Sequence, residues 1–354
     1  MKRAFRLVLL VCAGLVALAF GGTAMAAYTT PKLIVMNPSE KLGAGGPLTV
    51  RVEQSKDDDA TFRVVIYIPQ GYVTSLVPTE GQTIGTVKAQ AQANAISPDA
   101  ILELTGNIKG DTYTAAKYPV GQACAGASTA IAGVYRLELS AAGQTINVPM
   151  YVSAITGGPL ATVFSAQLVT CLASPYIPVA SGGATFGAKL INADLTFAGI
   201  FTNPTTEGDY RWSAIWTPYT VGTGAPNPTG TVETQSIDRL AAQLGLNVKV
   251  RGKRATFGGT LLENKRGVGG AKVDILVGRT ARGVKGKGSA TSNARGQYSR
   301  TVTLGRGTWY VRTKTTVPTR SAACTARFTP VPCINATLPG FSVFNNRVIR
   351  FRVR

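Results

Sequence analysis

Thr61-Phe62-Arg63-Val64-Val65-Ile66-Tyr67-Ile68 runs straight into Pro69-Gln70-Gly71. Every residue before the stop except Arg63 is β-branched or aromatic, the residue types that pack on a pleated surface. The proline and glycine that follow punctuate the run. Read outward from it, the chain repeats the pattern. Val134-Tyr135-Arg136-Leu137-Glu138-Leu139 alternates apolar with polar at period two, as does Thr145-Ile146-Asn147-Val148, which Pro149 ends. Thr185-Phe186 through Phe201 holds two further strand-like runs, and Tyr210-Arg211-Trp212-Ser213-Ala214-Ile215-Trp216 alternates with aromatic rings at even positions. Short strands with frequent turn signals predict an all-β fold of Ig-like or prealbumin-like β-sandwich domains with little helix. Gln90–Ala95 is the one brief helix expected, and Ser236–Leu246 reads as a second helix or as a strand leading into a new domain.

Charge divides the 354 residues. Residues 27–244 carry 12 Lys+Arg against 15 Asp+Glu, whereas residues 245–354 carry 22 against 2, Glu263 and Asp274. The basic segment repels itself unless an anionic partner or counterions answer it. Near the change of sign, Gly222-Thr223-Gly224-Ala225-Pro226-Asn227-Pro228-Thr229-Gly230 is loop chemistry. The expected organisation is a leader over 1–26, a β-sandwich region over 27–221 in one or two subdomains, a linker or leading strand over 222–246, and a basic sandwich over 247–354. A break between subdomains would fall near Ile155-Thr156-Gly157-Gly158-Pro159.

The leader reading rests on Lys2, Arg3 and Arg6, the apolar run Leu7–Phe20, and the small-residue site Ala24-Met25-Ala26. It predicts a secreted or extracellular protein associated with a cell surface, with no transmembrane anchor in the mature chain. Four cysteines then remain, and they allow three pairings. Pairing within each proposed domain gives Cys124–Cys171 and Cys324–Cys333. The chain has no histidine, which removes Ser-His-Asp and Cys-His nucleophiles and His general bases. With cysteine spacings unlike those of zinc sites, neither a metal nor a cofactor is expected, and no catalytic constellation is visible. An enzyme would have to bring together carboxylates such as Glu103, Glu138 and Asp194.

Within the basic segment, Thr256-Phe257-Gly258-Gly259-Thr260-Leu261-Leu262 precedes Gly270-Ala271-Lys272-Val273-Asp274-Ile275-Leu276. Then come Thr291-Ser292-Asn293-Ala294-Arg295-Gly296-Gln297-Tyr298 and Gly307-Thr308-Trp309-Tyr310-Val311. This order resembles the carboxypeptidase regulatory-like domain, a small prealbumin-type sandwich. The resemblance implies an accessory module on an exported protein, and no metal-ligand set of a peptidase accompanies it.

Two stretches of this segment are candidate polyanion contacts. The glycine-rich loop 278–288 carries Arg279, Arg282, Lys285 and Lys287. The last strand alternates, with Ile349, Phe351 and Val353 facing a core and Arg350, Arg352 and Arg354 facing out, about 7 Å apart. Guanidinium forks match phosphates and carboxylates. The same row would also guard an edge strand against aggregation. The expected partner is an anionic cell-surface or wall polymer. No specific nucleic acid is expected, since no nucleic-acid-binding motif is present. Asp57-Asp58-Asp59 reads as a hairpin loop rather than a calcium site, and Tyr210, Trp212, Ala214 and Trp216 as one core face rather than a sugar-stacking platform.

Overall fold

The computed structural model describes residues 28–92, 100–141, 143–181, 187–345 and 347–354; the expected leader lies outside them. Twelve strands lead the chain: β1 (Lys32–Met36), β2 (Gly45–Glu53), β3 (Thr61–Pro69), β4 (Val73–Thr74), β5 (Thr83–Gln92), β6 (Ile101–Asp111), β7 (Gly133–Ala141), β8 (Gln144–Ala154), β9 (Phe164–Cys171), β10 (Lys189–Thr202), β11 (Gly208–Pro218) and β12 (Val232–Leu240). One short helix, α1 (Gly121–Ala125), interrupts them. There follow β13 (Ala242–Leu244), β14 (Asn247–Arg251), β15 (Arg254–Glu263), β16 (Arg266–Gly267), β17 (Lys272–Gly278), β18 (Lys285–Thr291), β19 (Gln297–Thr303), β20 (Gly307–Val317), β21 (Arg320–Ala322), β22 (Cys333–Leu338), β23 (Phe341–Phe344) and β24 (Ile349–Val353). The fold is all-β, as the alternation predicts.

The first twelve strands lie in one continuous sheet, ordered β1-β2-β10-β5-β6-β7-β8-β9-β3-β11-β12-β22-β21, with β4 beside β10. The sheet curls until β1 lies against β12 and its walls enclose a single core. Side chains seal the seam: the Val35 amide donates to Ser236 Oγ (2.9 Å) and Thr337 Oγ1 donates to Leu33 O (2.7 Å). These two bonds satisfy edge groups of β1 that would otherwise be buried without a partner. Because β1–β12 share this sheet, residues near 155–159 mark no subdomain break. Trp212, Ala214 and Trp216 are fully buried, so the aromatic face of β11 is core.

Several expectations change. Gln90–Gln92 end strand β5, and the rest of the expected helix falls outside the described residues. β10 is one strand with register shifts at Leu190/Asn192 and Ala198/Phe201, rather than two runs; Thr185 and Phe186 lie outside the described residues. β8 continues through Pro149, where pairing with β9 has not yet begun; it starts at Met150↔Thr170. On that open side a missing N–H costs no ladder bond. Of the two readings of 222–246 the strand holds and the linker does not: the interval supplies β12, which belongs to the large sheet rather than to a new domain, and the chain leaves that sheet only between Leu240 and Ala242.

Residues beyond 242 form two facing sheets. One is β13-β15-β14 with β16 and β19 on β15; the other is β18-β17-β20-β23 with β24 on β20. The interval 247–354 is not an uninterrupted sandwich, because β22 returns to pair in parallel with β12. The outer face of β12 holds this excursion. Glu233, fully buried, accepts from the Arg327 amide (2.7 Å), and Gln235 Nε2 donates to Thr325 O (2.6 Å). Phe328 stacks on Phe164 and against Tyr67. A buried carboxylate needs such donors, and here they come from a segment about 90 residues along the chain.

Both expected disulfides are present, Cys124–Cys171 and Cys324–Cys333. The first closes a sequence separation of 47 and ties α1 to β9 beneath Tyr151 and Val169. Constraining a loop of that length stabilises by about 4 kcal/mol on chain-entropy grounds. The double variant Cys124→Ser/Cys171→Ser should lower the urea midpoint accordingly while Cys324→Ser/Cys333→Ser loses about 2.7 kcal/mol. An unchanged midpoint in the first would show that α1 packing alone holds this loop.

Candidate functional site

The basic sandwich has a proximal and a distal end. Its proximal core (Leu244, Leu261, Val268, Ala271, Val273, Tyr298, Val317, Phe341) lies toward the large sheet; its distal core (Ala255, Phe257, Ile275, Val277, Leu304, Val311, Val353) lies away from it. The two acids of the segment are not at the distal end. Glu263 ends β15 on the proximal side, where Arg320 Nη2 donates to both its oxygens (2.9 and 2.8 Å) and Arg239 stands at 3.9 Å. Lys265 pairs with Glu207 and Arg266 with Asp209 at the same junction. Asp274 lies within β17, opposite Lys314.

Four chain segments converge on the distal end. Arg251 and Arg254 face each other across the β14–β15 turn, and Arg254 faces Thr303 of β19. The Leu304 amide donates to Lys253 O (2.8 Å), bringing the β19–β20 turn beside that hairpin. Val277 pairs with Lys285, so the loop after Gly278 leaves from the same end. Gly307 pairs with Val353 and Thr308 with Arg352, which places the last residues there too. Arg251, Lys253, Arg254, Arg279, Arg282, Lys285, Arg306, Arg352 and Arg354 are all exposed at this tip. Among the described residues none of them forms an ion pair. Like charges placed directly opposite destabilise a strand pair, so Arg251 and Arg254 work against local stability.

The expected contacts are therefore partly gathered and partly not. Arg282, Lys285, Arg352 and Arg354 are at the tip. Lys287 and Arg350 lie further along two opposite edge strands, β18 and β24, with β17 and β20 between them; at sheet spacing that is about 14 Å. Arg279 is engaged within the fold. Its guanidinium lies 3.7 Å from the Trp309 ring centre and donates to Arg306 O at 3.1 Å. It pins the basic loop to the next turn, and Gly307 makes room for it: a Cβ there, on a backbone with φ +123°, would stand 2.5 Å from Nη1. Sequence reasoning missed Arg251, Lys253, Arg254 and Arg306. The signal is present in Arg251-Gly252-Lys253-Arg254 and Gly305-Arg306-Gly307, basic turns with glycine like the loop 278–288.

The carboxylates named for an enzyme do not converge. Glu103 accepts from Gln90 (2.6 Å), Glu138 pairs with Lys109 and Arg136, and Asp194 takes a two-point bond from Arg51. Asp58 is buried and accepts from the amides of Thr29 and Ser55, so this residue of the triplet ties the segment before β1 to its own turn.

A different acidic pair sits at the junction of the two parts. Asp238 is buried and accepts from the Tyr72 hydroxyl and Asn37 Nδ2; half-buried Glu40 lines an adjoining cleft of about 820 Å³. Burial first, then the charges of Asp238 and Glu263, push the Glu40 carboxyl up to about 9; burial pushes Asp238 up to about 6. Raised carboxyl values mean that the folded state holds its protons more tightly than the unfolded chain. Stability should therefore fall as pH rises from the ordinary carboxylate range toward 9. Glu40→Gln should flatten that fall, melting higher than the parent at pH 8 and alike at pH 4.5; parallel melting curves across this range would exclude it.

No known family profile and no curated protein matches the chain. Among solved structures there is a likeness to pullulanase from Bacillus acidopullulyticus, at 11% identity and a TM-score of 0.16, over 80% of this chain and 34% of that one. The chain thus spans about a third of that protein's length, and so low a TM-score carries no argument.

Proposed function

We propose that this is an exported, non-catalytic β protein whose distal tip binds an anionic surface or wall polymer, serving attachment, adhesion or envelope organisation. The observation that carries this reading is the tip itself: nine exposed cations from four chain segments, with both acids of the basic segment placed elsewhere. Two disulfides suit an extracellular setting, and no described helix is long and apolar enough to cross a membrane. The two facing sheets of the basic segment are the arrangement that the carboxypeptidase regulatory-like resemblance would require.

The test titrates the full mature chain with wall phosphopolymer, DNA and anionic vesicles across a salt series. The full chain is used because β22 belongs to the large sheet. Retention of the wall polymer at physiological salt, with DNA and vesicles released, is the expected result. Equal binding to all three that disappears together with salt would reduce the tip to unspecific attraction. A second reading, an enzyme with its chemistry in the N-terminal part, draws on the Glu40–Asp238 pair, since buried carboxyls pushed apart in proton affinity mark acid–base sites. Screening polysaccharide substrates against the parent and Asp238→Asn decides that reading.

A further inference from the structure

The core of the large sheet is filled unevenly. At one end the rings of Tyr72, Phe201, Phe197, Tyr135 and Trp212 interlock, with centroids 5.1 to 5.8 Å apart. Toward the other end the inward side chains shrink. Successive cross-strand rows read Val52–Ala193–Ala89–Leu104 and Leu190–Ala91–Leu102. The backbone walls do not close in to match, and a cavity of about 550 Å³ opens between them. Its mouth lies where β8 and β9 part, beyond Met150↔Thr170, with Asn147 and Ala173 exposed there.

The lining chemistry is narrow. Among the described residues, Thr170 is the one polar side chain aimed inward and no charged residue lines the cavity; Asn147, between inward Ile146 and Val148, faces out opposite Glu138. The Thr170 hydroxyl is buried without a hydrogen-bond partner among the described residues. Close-packed interiors leave few voids larger than a water molecule. Ordered water needs several polar partners, which these walls do not offer. The volume and the apolar lining with one or two polar groups match small-molecule sites.

We propose that this cavity binds one long aliphatic chain of a lipid, with its polar end at the mouth beside Thr170. With no cation among the described residues of the walls, a carboxylate or phosphate would be costly to bury, so the charged end stays in water. This assignment is independent of the basic tip, which lies on the other part of the molecule.

The test uses delipidated full mature chain titrated with dansyl-undecanoic acid, followed by displacement with palmitate. A parallel incubation with phosphatidylglycerol vesicles is read by native mass spectrometry for retained lipid. One-to-one saturable binding is expected. Ala89→Leu and Ala91→Leu each fill the space of about three methylenes and should weaken it on the order of fiftyfold. Ala198→Leu, at an exposed position of β10, should bind like the parent. The filling variants should melt at or above the parent temperature, which separates lost binding from lost folding; if one fails to fold, the other decides. Displacement by palmitate supports the proposal with a free fatty acid as source, and retained phosphatidylglycerol supports it with a membrane lipid. Absence of saturable binding in the parent, or filling variants that bind like it, would overturn the proposal.

Discussion

Replacing Arg251, Lys253 and Arg254 with serine together is expected to reduce the dependence of polyphosphate or DNA binding on salt, and the affinity with it. Each cation that meets a phosphate releases about one counterion and adds about 0.9 to the slope of log affinity against log salt. Removing three should lower that slope by about 2.7. A control with the same charge change, Lys272→Ser, Arg295→Ser and Lys314→Ser, alters exposed cations away from the tip. The tip triple should lose far more than the control. Equal losses would mean that the net field of the basic segment, rather than its distal geometry, does the binding. The triple should also gain a few tenths of a kcal/mol in stability, because the repulsion between Arg251 and Arg254 is relieved. Loss of binding together with a gain in stability separates a site from a structural contact.

Trp212→Ala is expected to destabilise the protein by about 3–5 kcal/mol, the usual cost of emptying a large core position. Trp212 has no exposed surface, and its ring meets Tyr72 at 5.1 Å and Phe201 at 5.7 Å. Its strand pairs with β3 on one side and β12 on the other, so no nearby element is free to move into the space. Trp309→Ala should cost clearly less. That ring is half-buried at the distal end and its face is covered by the exposed Arg279. Denaturant midpoints of the two variants check the order. Similar costs would mean that the large sheet collapses around the missing ring.

How much of this was legible beforehand depends on range. β-branched and aromatic composition placed β3, and period-two alternation placed β7 and β11, because inward and outward positions differ within a strand's own sequence. The same local logic placed Arg350 and Arg352 outward on β24, with Ile349, Phe351 and Val353 toward the core. It failed at β12. Glu233, Thr234, Gln235, Ser236 and Asp238 are buried polar residues, and in sequence they read as a linker, a helix or a strand leading into a new domain, not as a strand buried within the first sheet. Their partners are Ser213, Val35, Tyr72 and the amides of the Cys324–Cys333 loop, so their burial is decided by residues far along the chain.

The all-β class, the segregation of charge into the last 110 residues and the absence of histidine chemistry were legible in the chain alone, because each follows from residue type, local period or simple count. The choice among three cysteine pairings and the question of which cations stand together were settled only by tertiary packing. Sheet register carries the hairpin at Arg251–Arg254, the turn at Arg306, the loop at Arg282–Lys285 and the last strand to one end, while Lys287 and Arg350 lie back along opposite edges. It also decided that β22 returns to the large sheet and that Ala89, Ala91 and Ala193 face a common cavity. Those outcomes depend on non-local pairing, and a strand's own residues do not specify which distant strand completes its ladder.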